Sequence, residues 1–279
     1  MTVTDLFRLD DVRALITGAS RGIGAAIAQA FAESGARVAL AARTERATED
    51  VAGRIGRSCG TEAHRVAGDL ADPEVAPRLV DQAAHALGGL DVLVHNAGVL
   101  PTDPQGNPVL KPFARSTPEE WQPVVAVNLA ATVALCRAAH RHLLESPRPS
   151  VLLVSSVAGL IGVPTMEAYG VTKAAQVSLA RSLATGWAPQ RIRVNALCPG
   201  WVRTDMTSVV HGDEALSGHL LRHVPMRRWA DPGEVAGSAV FLTSPAASFI
   251  TGQALVIDGG LSVPHGGLAD LAAGPPDGM

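Results

Sequence analysis

Cysteine, long apolar runs and blocks of one charge are scarce in this chain of 279 residues. The three cysteines, Cys59, Cys136 and Cys198, lie too far apart for a disulfide framework or a metal site, so we expect reduced thiols and no bound metal. The formal net charge is −3 without a basic block, which argues against nucleic acid and membrane surfaces as partners. The sequence has no signal peptide and no run of about 18 apolar residues, which predicts a cytoplasmic protein without a transmembrane helix.

The chain does contain enough apolar material for a large core, with 47% hydrophobic residues. Seven short apolar segments alternate with six or seven helical patterns, and strands that are separated by helices must run parallel. We therefore predict one α/β domain over residues 1–263, a Rossmann fold whose doubly wound, seven-stranded and mostly parallel sheet carries helices on both faces. Residues 264–279 are rich in glycine and proline, and we expect a flexible tail there.

Two stretches in the middle of the chain are harder to interpret. Thr117 and Glu120 form a capping box that opens one helix, and a second, separate helix is predicted over about residues 129–144. Residues 204–228 show only weak patterning, and we interpret them as an insertion that covers the substrate.

A glycine-rich turn follows the first strand and opens the first helix. Its residues are Gly18, Ala19, Ser20, Arg21, Gly22, Ile23 and Gly24. A backbone without Cβ atoms can approach a pyrophosphate closely, and a helix N-terminus offers unpaired N–H groups. The order of strand, turn and helix therefore predicts dinucleotide binding.

The end of the second strand indicates which dinucleotide binds. An acidic residue there would bind the 2′-hydroxyl of the adenosine ribose, but this chain has Ala42 followed by Arg43. With Arg21 in the glycine turn, two guanidinium groups are expected near the ribose, which suits a 2′-phosphate. The sequence therefore favours NADP(H) over NAD(H), and two ordinary surface arginines are the alternative.

Tyr169 is the only tyrosine of the chain, and Lys173 follows it four positions later. On a helix the two side chains share one face. A nearby ammonium group stabilises a phenolate, so we expect Lys173 to lower the pKa of Tyr169 from its ordinary value of about 10. The alternative is a half-buried core tyrosine beside a solvated surface lysine.

Six motifs in one order resemble those of the short-chain dehydrogenase/reductase family over about residues 9–263, with 3-oxoacyl reductases and gluconate dehydrogenases among the similar members. They are Thr17 to Gly24, Asn96-Ala97-Gly98, Asn128, Ser156 with Tyr169 thirteen residues later, Pro199-Gly200 and Asp258-Gly259-Gly260. The resemblance implies an oxidoreductase for CH–OH groups that transfers a hydride between NADP(H) and a carbonyl or secondary alcohol and acts as a ketone reductase.

The same resemblance implies roles for individual residues. Tyr169 would exchange a proton with the substrate oxygen, Ser156 would hydrogen-bond that oxygen, and Lys173 would also bind the nicotinamide ribose. Asn128 would hold, through its backbone, a water that links Lys173 to solvent; Ser155 is rejected because the family spacing selects Ser156. The cofactor-binding residues would be Gly18, Ser20, Arg21, Gly22, Ile23, Gly24, Arg43, Asp69, Leu70, Asn96, Ala97, Gly98, Tyr169, Lys173, Pro199, Gly200, Val202 and Thr204.

The sequence does not name the substrate. We expect the loop over residues 101–114, the residues after Ser156 and the 204–228 insertion to surround a small carbonyl or alcohol compound. Reduction of 3-oxoacyl thioesters, dehydrogenation of sugar acids and reduction of secondary-metabolite ketones are all open. The resemblance further implies a homotetramer or homodimer, and the alternative function is a catalytically silent, NADP(H)-binding sensor or scaffold.

Overall fold

Seven apolar segments form one parallel sheet in the computed structural model, which describes residues 2–103 and 108–263. Near-continuous Val, Leu, Ile and Ala runs are typical of strands that are covered on both faces. The predicted tail over residues 264–279 lies outside the described residues. The strands are β1 (Arg13–Thr17), β2 (Arg37–Ala42), β3 (His64–Ala67), β4 (Val92–His95), β5 (Ser150–Val154), β6 (Arg193–Pro199) and β7 (Ala254–Ile257).

The strand order is β3-β2-β1-β4-β5-β6-β7, and all neighbouring strands are parallel. The chain proceeds outward from β1 to β3 and then returns to place β4 beside β1. Because Thr17 pairs with His95, the turn after β1 and the segment after β4 leave the sheet side by side. Ligands of such sheets bind at this switch in strand order. The predicted doubly wound sheet is confirmed.

Successive residues of each strand contribute to two separate cores, as the alternation of side chains in a strand requires. Leu15 of β1 lies in the core under one group of helices, whereas Ala14 and Ile16 lie in the other. The first group is α3 (Val75–Leu87), α5 (Ala131–Leu143) and α6 (Glu167–Trp187). The second group is α1 (Gly22–Glu33), α2 (Glu49–Cys59) and α9 (Pro232–Thr243).

The two helices that were predicted between residues 117 and 144 are one continuous helix. It opens with α4 (Pro118–Val125), where the backbone N–H of Thr117 donates to Glu120 Oε2 at 3.0 Å. A π-helical turn, Ala126–Ala130, then joins α4 to α5. The prediction of a separate second helix is wrong because the one-residue excess of a π-helical turn shifts the apolar periodicity without interrupting the helix.

This joined helix, Pro118–Leu143, is long and apolar enough by composition to cross a membrane. Its inward face, which includes Leu135, Ala139 and Leu143, is buried against the sheet and α3. We therefore interpret it as a core helix of the α/β fold.

Residues 204–228 contain short helices that the weak patterning did not predict. They are the 3-10 turn Asp205–Thr207, α7 (Ser208–His211) and α8 (Glu214–Leu221). Trp229 anchors this segment, because its indole N–H donates to Ser217 Oγ at 2.7 Å and its ring lies 5.5 Å from that of Trp201. Helices of one or two turns have too few apolar positions for a clear period.

Asp91 connects β1, β4 and the chain after α5 at the amino edge of the sheet. Its Oδ2 accepts the backbone N–H and the Nε–H of Arg13, both at 2.8 Å. Its Oδ1 accepts from Arg13 Nη2 at 2.7 Å and from Ser146 Oγ at 2.6 Å. Burial opposes ionisation, but these hydrogen bonds outweigh it and lower the pKa of Asp91.

We expect Asp91→Asn to lower the free energy of unfolding by about 2 kcal/mol, because the charge-assisted hydrogen bonds of a buried carboxylate are lost. Urea denaturation checks this value. Since the folded-state pKa lies below the unfolded value of about 3.9, the stabilisation is present above that value and disappears as the pH falls through the folded-state pKa. The control is Asp10→Asn, which breaks an exposed pair with Arg8 and should change stability little. Equal losses for both variants would contradict the assignment.

Candidate active site

The glycine turn after β1 packs closely against the segment after β4. Gly18 has a φ of 66°, and a Cβ atom there would lie 2.8 Å from Ala97 Cα. A Cβ atom on Gly24 would lie 2.2 Å from the carbonyl oxygen of Gly18. The Asn96 amide donates to the carbonyls of Thr17 and Gly18 at 3.2 and 3.1 Å. These contacts fix the turn and direct the N-terminus of α1 toward the cleft.

A cleft of about 830 Å³ opens beside the N-terminus of α1. The unpaired N–H groups and the dipole of this helix end favour an anion. The cleft is lined by the predicted residues Ser20, Arg21, Gly22 and Thr204, and by three further arginines, Arg54, Arg57 and Arg203. These arginines were not predicted, because exposed positions, on α2 for Arg54 and Arg57 and after β6 for Arg203, carry no signal of what they face.

The 204–228 segment begins against the glycine turn. A Cβ atom on Gly22 would lie 3.2 Å from Thr204 Cγ2. Arg21 forms an ion pair with Asp205 at 3.3 Å, and the exposed fractions of the two side chains are 68% and 62%. Because both side chains are so exposed, this pair contributes little to stability and leaves Arg21 free to exchange partners.

The other predicted cofactor residues lie at the carboxyl ends of strands or just beyond them. Asp69 Oδ1 accepts the Ala71 N–H at 3.0 Å, a hydrogen bond that is typical of aspartate in turns. The other carboxylate oxygen of Asp69 can then accept from a ligand. A Cβ atom on Gly98 would lie 3.3 Å from Lys173 Nζ, so this backbone passes next to the lysine. The remaining positions are Ile23 in the first turn of α1, Arg43 after β2, Leu70 after β3, Pro199 at the end of β6, and Gly200 and Val202 beyond it.

Tyr169 and Lys173 lie on one face of α6. Lys173 Nζ is 5.5 Å from the centroid of the Tyr169 ring. The lysine is only 2% exposed, and its ammonium group donates to the Val154 carbonyl at 2.8 Å and to Gln176 Oε1 at 3.2 Å. The alternative of a solvated surface lysine is therefore wrong.

Burial determines the protonation of this pair. Burial raises the pKa of Tyr169 to about 12, and a hydrogen bond with Ser156 offsets only part of that rise. Burial also lowers the pKa of Lys173 to about 8. The expectation that Lys173 lowers the pKa of Tyr169 below its ordinary value is wrong, because burial raises that pKa more than the hydrogen bond with Ser156 lowers it. The phenol is therefore protonated at neutral pH.

Two neighbouring serines follow β5, and they take different positions. Ser155 Oγ is buried and donates to the backbone carbonyl of Lys173 at 2.8 Å. Ser156 Oγ accepts the Ala158 N–H at 3.1 Å and hydrogen-bonds Tyr169. Successive side chains of an extended segment point to opposite sides. Ser156 therefore shares the site with Tyr169, and Ser155 supports the helix behind it.

The π-helical turn places Asn128 behind Lys173. The Asn128 side chain pairs with the Val99 backbone, accepting its N–H at 2.8 Å and donating to its carbonyl at 3.0 Å. The Asn128 backbone carbonyl accepts from Thr132 Oγ1 at 2.6 Å and from Gln176 Nε2 at 2.8 Å. Two side-chain donors therefore contact this carbonyl, and the water expected on the Asn128 backbone stays a prediction.

Three residues that organise the site were missed or given no role. His95 is fully buried, lies 2.9 Å from Thr17 Oγ1 through Nδ1, and is neutral because burial lowers its pKa to about 3. Thr17 Oγ1 also accepts the N–H groups of Asn96 and Ala97, both at 3.2 Å. Gln176 did carry a signal, since it is a polar residue on the helix face that holds Tyr169 and Lys173.

Known proteins match nearly the whole chain. The family model described as "Enoyl-(Acyl carrier protein) reductase" matches residues 18–262. The chain is 42% identical over 265 residues to an uncharacterized oxidoreductase of Mycobacterium tuberculosis, covering 94% of this chain and 97% of that protein. It is 33% identical over 263 residues to a gluconate 5-dehydrogenase of Gluconobacter oxydans, covering 94% and 99%.

A solved structure agrees with these matches. The gluconate 5-dehydrogenase of Burkholderia cenocepacia, crystallised in complex with NADP and tartrate, has a TM-score of 0.87 and 32% sequence identity. The alignment covers 95% of this chain and 100% of that one. With a glycine turn at the switch in strand order and Ser156, Tyr169 and Lys173 next to it, the chain belongs to the short-chain dehydrogenase/reductase family of oxidoreductases.

Proposed function

We propose that this protein is an NADP(H)-dependent carbonyl reductase that converts a small ketone into a secondary alcohol. The observation that carries the proposal is the convergence of the Tyr169 hydroxyl and Ser156 Oγ, backed by the buried Lys173 ammonium group, at the carboxyl edge of a parallel sheet. We further propose one cytoplasmic domain over residues 1–263 that assembles into a homotetramer or homodimer, as the resemblance implies.

The residues of the cleft fit a phosphorylated dinucleotide. The turn from Gly18 to Gly24 holds its backbone where added Cβ atoms would collide, and it leaves the N-terminus of α1 open to a pyrophosphate. Arg21, with Arg43 after β2, supplies guanidinium groups for a 2′-phosphate. NADP in the related Burkholderia structure supports this assignment. When bound, NADPH would supply the hydride.

The side chains supply polarisation and a proton. Ser156 hydrogen-bonds the substrate oxygen and stabilises the charge that develops on it. Tyr169, protonated at neutral pH, gives its proton to that oxygen. The Lys173 ammonium then stabilises the phenolate that remains. Because the pKa of Tyr169 is raised to about 12, the phenol carries its proton near neutral pH, which is the protonation state that reduction of a carbonyl requires.

Sugar acids are the first substrate class that we propose. Gluconate 5-dehydrogenases are among the relatives, and one of them holds tartrate, a hydroxylated acid. A 3-oxoacyl-[acyl-carrier-protein] reductase of Aquifex aeolicus, 32% identical over 247 residues, supports 3-oxoacyl thioesters as the second candidate. We propose that residues 204–228 close over either substrate, because Met206 and Val209 expose apolar surface on that segment.

The proposed function is tested by following NADPH absorbance with keto sugar acids, 3-oxoacyl thioesters and simple ketones. We expect turnover with at least one keto sugar acid and a higher kcat/KM with NADPH than with NADH. A clear preference for NADH, or tight NADPH binding without turnover on any carbonyl compound, would overturn the proposal. The second outcome would favour the sensor or scaffold.

The two serines provide a matched pair of variants for the catalytic assignment. We expect Ser156→Ala to lower kcat about 100-fold, since one donor to the developing charge is lost, and Tyr169→Phe to lower it by at least that factor. Ser155→Ala should lower thermal stability by about 1 kcal/mol, because a buried hydrogen bond is lost, with little change in kcat. Steady-state kinetics and thermal unfolding on the same preparations measure both. A larger kcat loss in Ser155→Ala than in Ser156→Ala would reverse the assignment.

Cofactor preference depends on charge near the end of β2. Arg21→Ala and Arg43→Ala should each raise KM for NADPH about tenfold and change KM for NADH little, because one charge-assisted contact is lost. Ala42→Asp should shift the preference toward NADH by offering a carboxylate to the 2′-hydroxyl. Arg46→Ala, an exposed arginine three residues beyond Arg43, is the control. Equal changes in KM for NADPH and KM for NADH would show that these arginines do not bind the 2′-phosphate.

A further inference from the structure

Gln176 is a completely buried amide three residues after Lys173. Its Oε1 accepts from Lys173 Nζ at 3.2 Å. Its Nε2 donates to the Asn128 carbonyl at 2.8 Å and to Thr132 Oγ1 at 3.0 Å. One side chain therefore connects the lysine of α6 to the π-helical turn between α4 and α5.

The surrounding hydrogen bonds determine which way this amide points. The hydroxyl of Thr132 gives its proton to the Asn128 carbonyl at 2.6 Å, so Thr132 Oγ1 is an acceptor toward Gln176. Two acceptors on that side require the NH₂ group of Gln176 there. On the other side the Lys173 ammonium group has only donors and requires the Gln176 oxygen. The reversed amide would place donor against donor and acceptor against acceptor.

We propose that Gln176 is a positioning residue that holds the Lys173 ammonium group beneath Tyr169 and preserves its positive charge. This inference rests on the proposed function, in which that charge stabilises the Tyr169 phenolate. Gln176 and Thr132 also donate to the Asn128 carbonyl, so the amide that accepts from Lys173 is itself held by the π-helical turn.

The other ionisable groups around Lys173 supply little of this stabilisation, because burial outweighs the one contribution that raises its pKa, which comes from Cys198. They are Tyr169 on the same helix, Cys198 at the end of β6 and His95 at the end of β4. Burial raises the pKa of Tyr169 to about 12 and also raises the pKa of the Cys198 thiol, and it lowers the pKa of His95 to about 3. All three are neutral near pH 7. Neutral acceptors, Gln176 Oε1 and the Val154 carbonyl, therefore hold the buried ammonium group.

The composition of the chain makes this inference directly measurable. Lys111 and Lys173 are its only lysines, so NMR of protein with ¹³C-labelled lysine follows two Cε signals. Lys111→Arg identifies the signal of Lys173. We expect the Lys173 signal of the wild type to titrate with a pKa of about 8.

Two nearly isosteric replacements should move this pKa in opposite directions. Gln176→Met removes the acceptor and should lower the pKa of Lys173 by about one unit, as loss of a hydrogen bond to a charged group requires. Gln176→Glu offers a carboxylate and should raise it by at least as much. Gln253→Met, which replaces an exposed amide on the Thr251 carbonyl, is the control and should leave it unchanged. Shifts in the same direction, or an unmoved Lys173 signal in a folded variant, would overturn the inference.

The titration needs neither substrate nor turnover, so it is independent of the proposed function. In an active enzyme, Gln176→Met should lower kcat about tenfold with KM little changed. The pH above which reduction slows should fall by about one unit, as the pKa of Lys173 does. If Gln176→Met fails to fold, the predicted rise in the pKa of Lys173 in Gln176→Glu still tests the inference. A wild type without turnover would overturn the proposed function alone, whereas active enzymes with unmoved lysine titrations would overturn the role of Gln176 alone.

Discussion

Burial of the Lys173 ammonium group is the constraint on which the rest of the site depends. An ammonium group removed from water is stable only if acceptors surround it. The Val154 carbonyl at the end of β5 and Gln176 Oε1 provide them, and the Ser155 hydroxyl fixes the helix backbone at the same residue. The positions of β5, α6 and the π-helical turn are therefore coupled through one charge.

The same burial gives the site its chemical character. Removal of water makes the Tyr169 phenol a weaker acid and the Lys173 ammonium a stronger one, so their pKa values, which are similar in water, move apart to about 12 and about 8. Near neutral pH the pair holds a proton on the phenol and a charge on the lysine. This is the state from which a proton is donated to a carbonyl oxygen, with Ser156 at its side.

Much of this could be predicted from the sequence, because it depends on local patterns. The parallel sheet follows from apolar strands that alternate with helices, and the face shared by Tyr169 and Lys173 follows from helical spacing. The π-helical turn around Asn128 and the hydrogen-bond partners of Gln176 could not be predicted, because both depend on which helices meet behind the lysine. The raised pKa of Tyr169 was missed for a related reason, since spacing indicates proximity to a charge but not loss of water.

Transfer of deuterium from the cofactor to the substrate tests the central claim most directly. Protein supplied with NADPH deuterated at the transferable position and with an accepted ketone should give an alcohol that carries the deuterium on the carbon bearing the hydroxyl group. Mass spectrometry of the product measures this label, and Tyr169→Phe should give almost none. Consumption of NADPH that leaves the alcohol carbon unlabelled, or full labelling by Tyr169→Phe, would contradict the account.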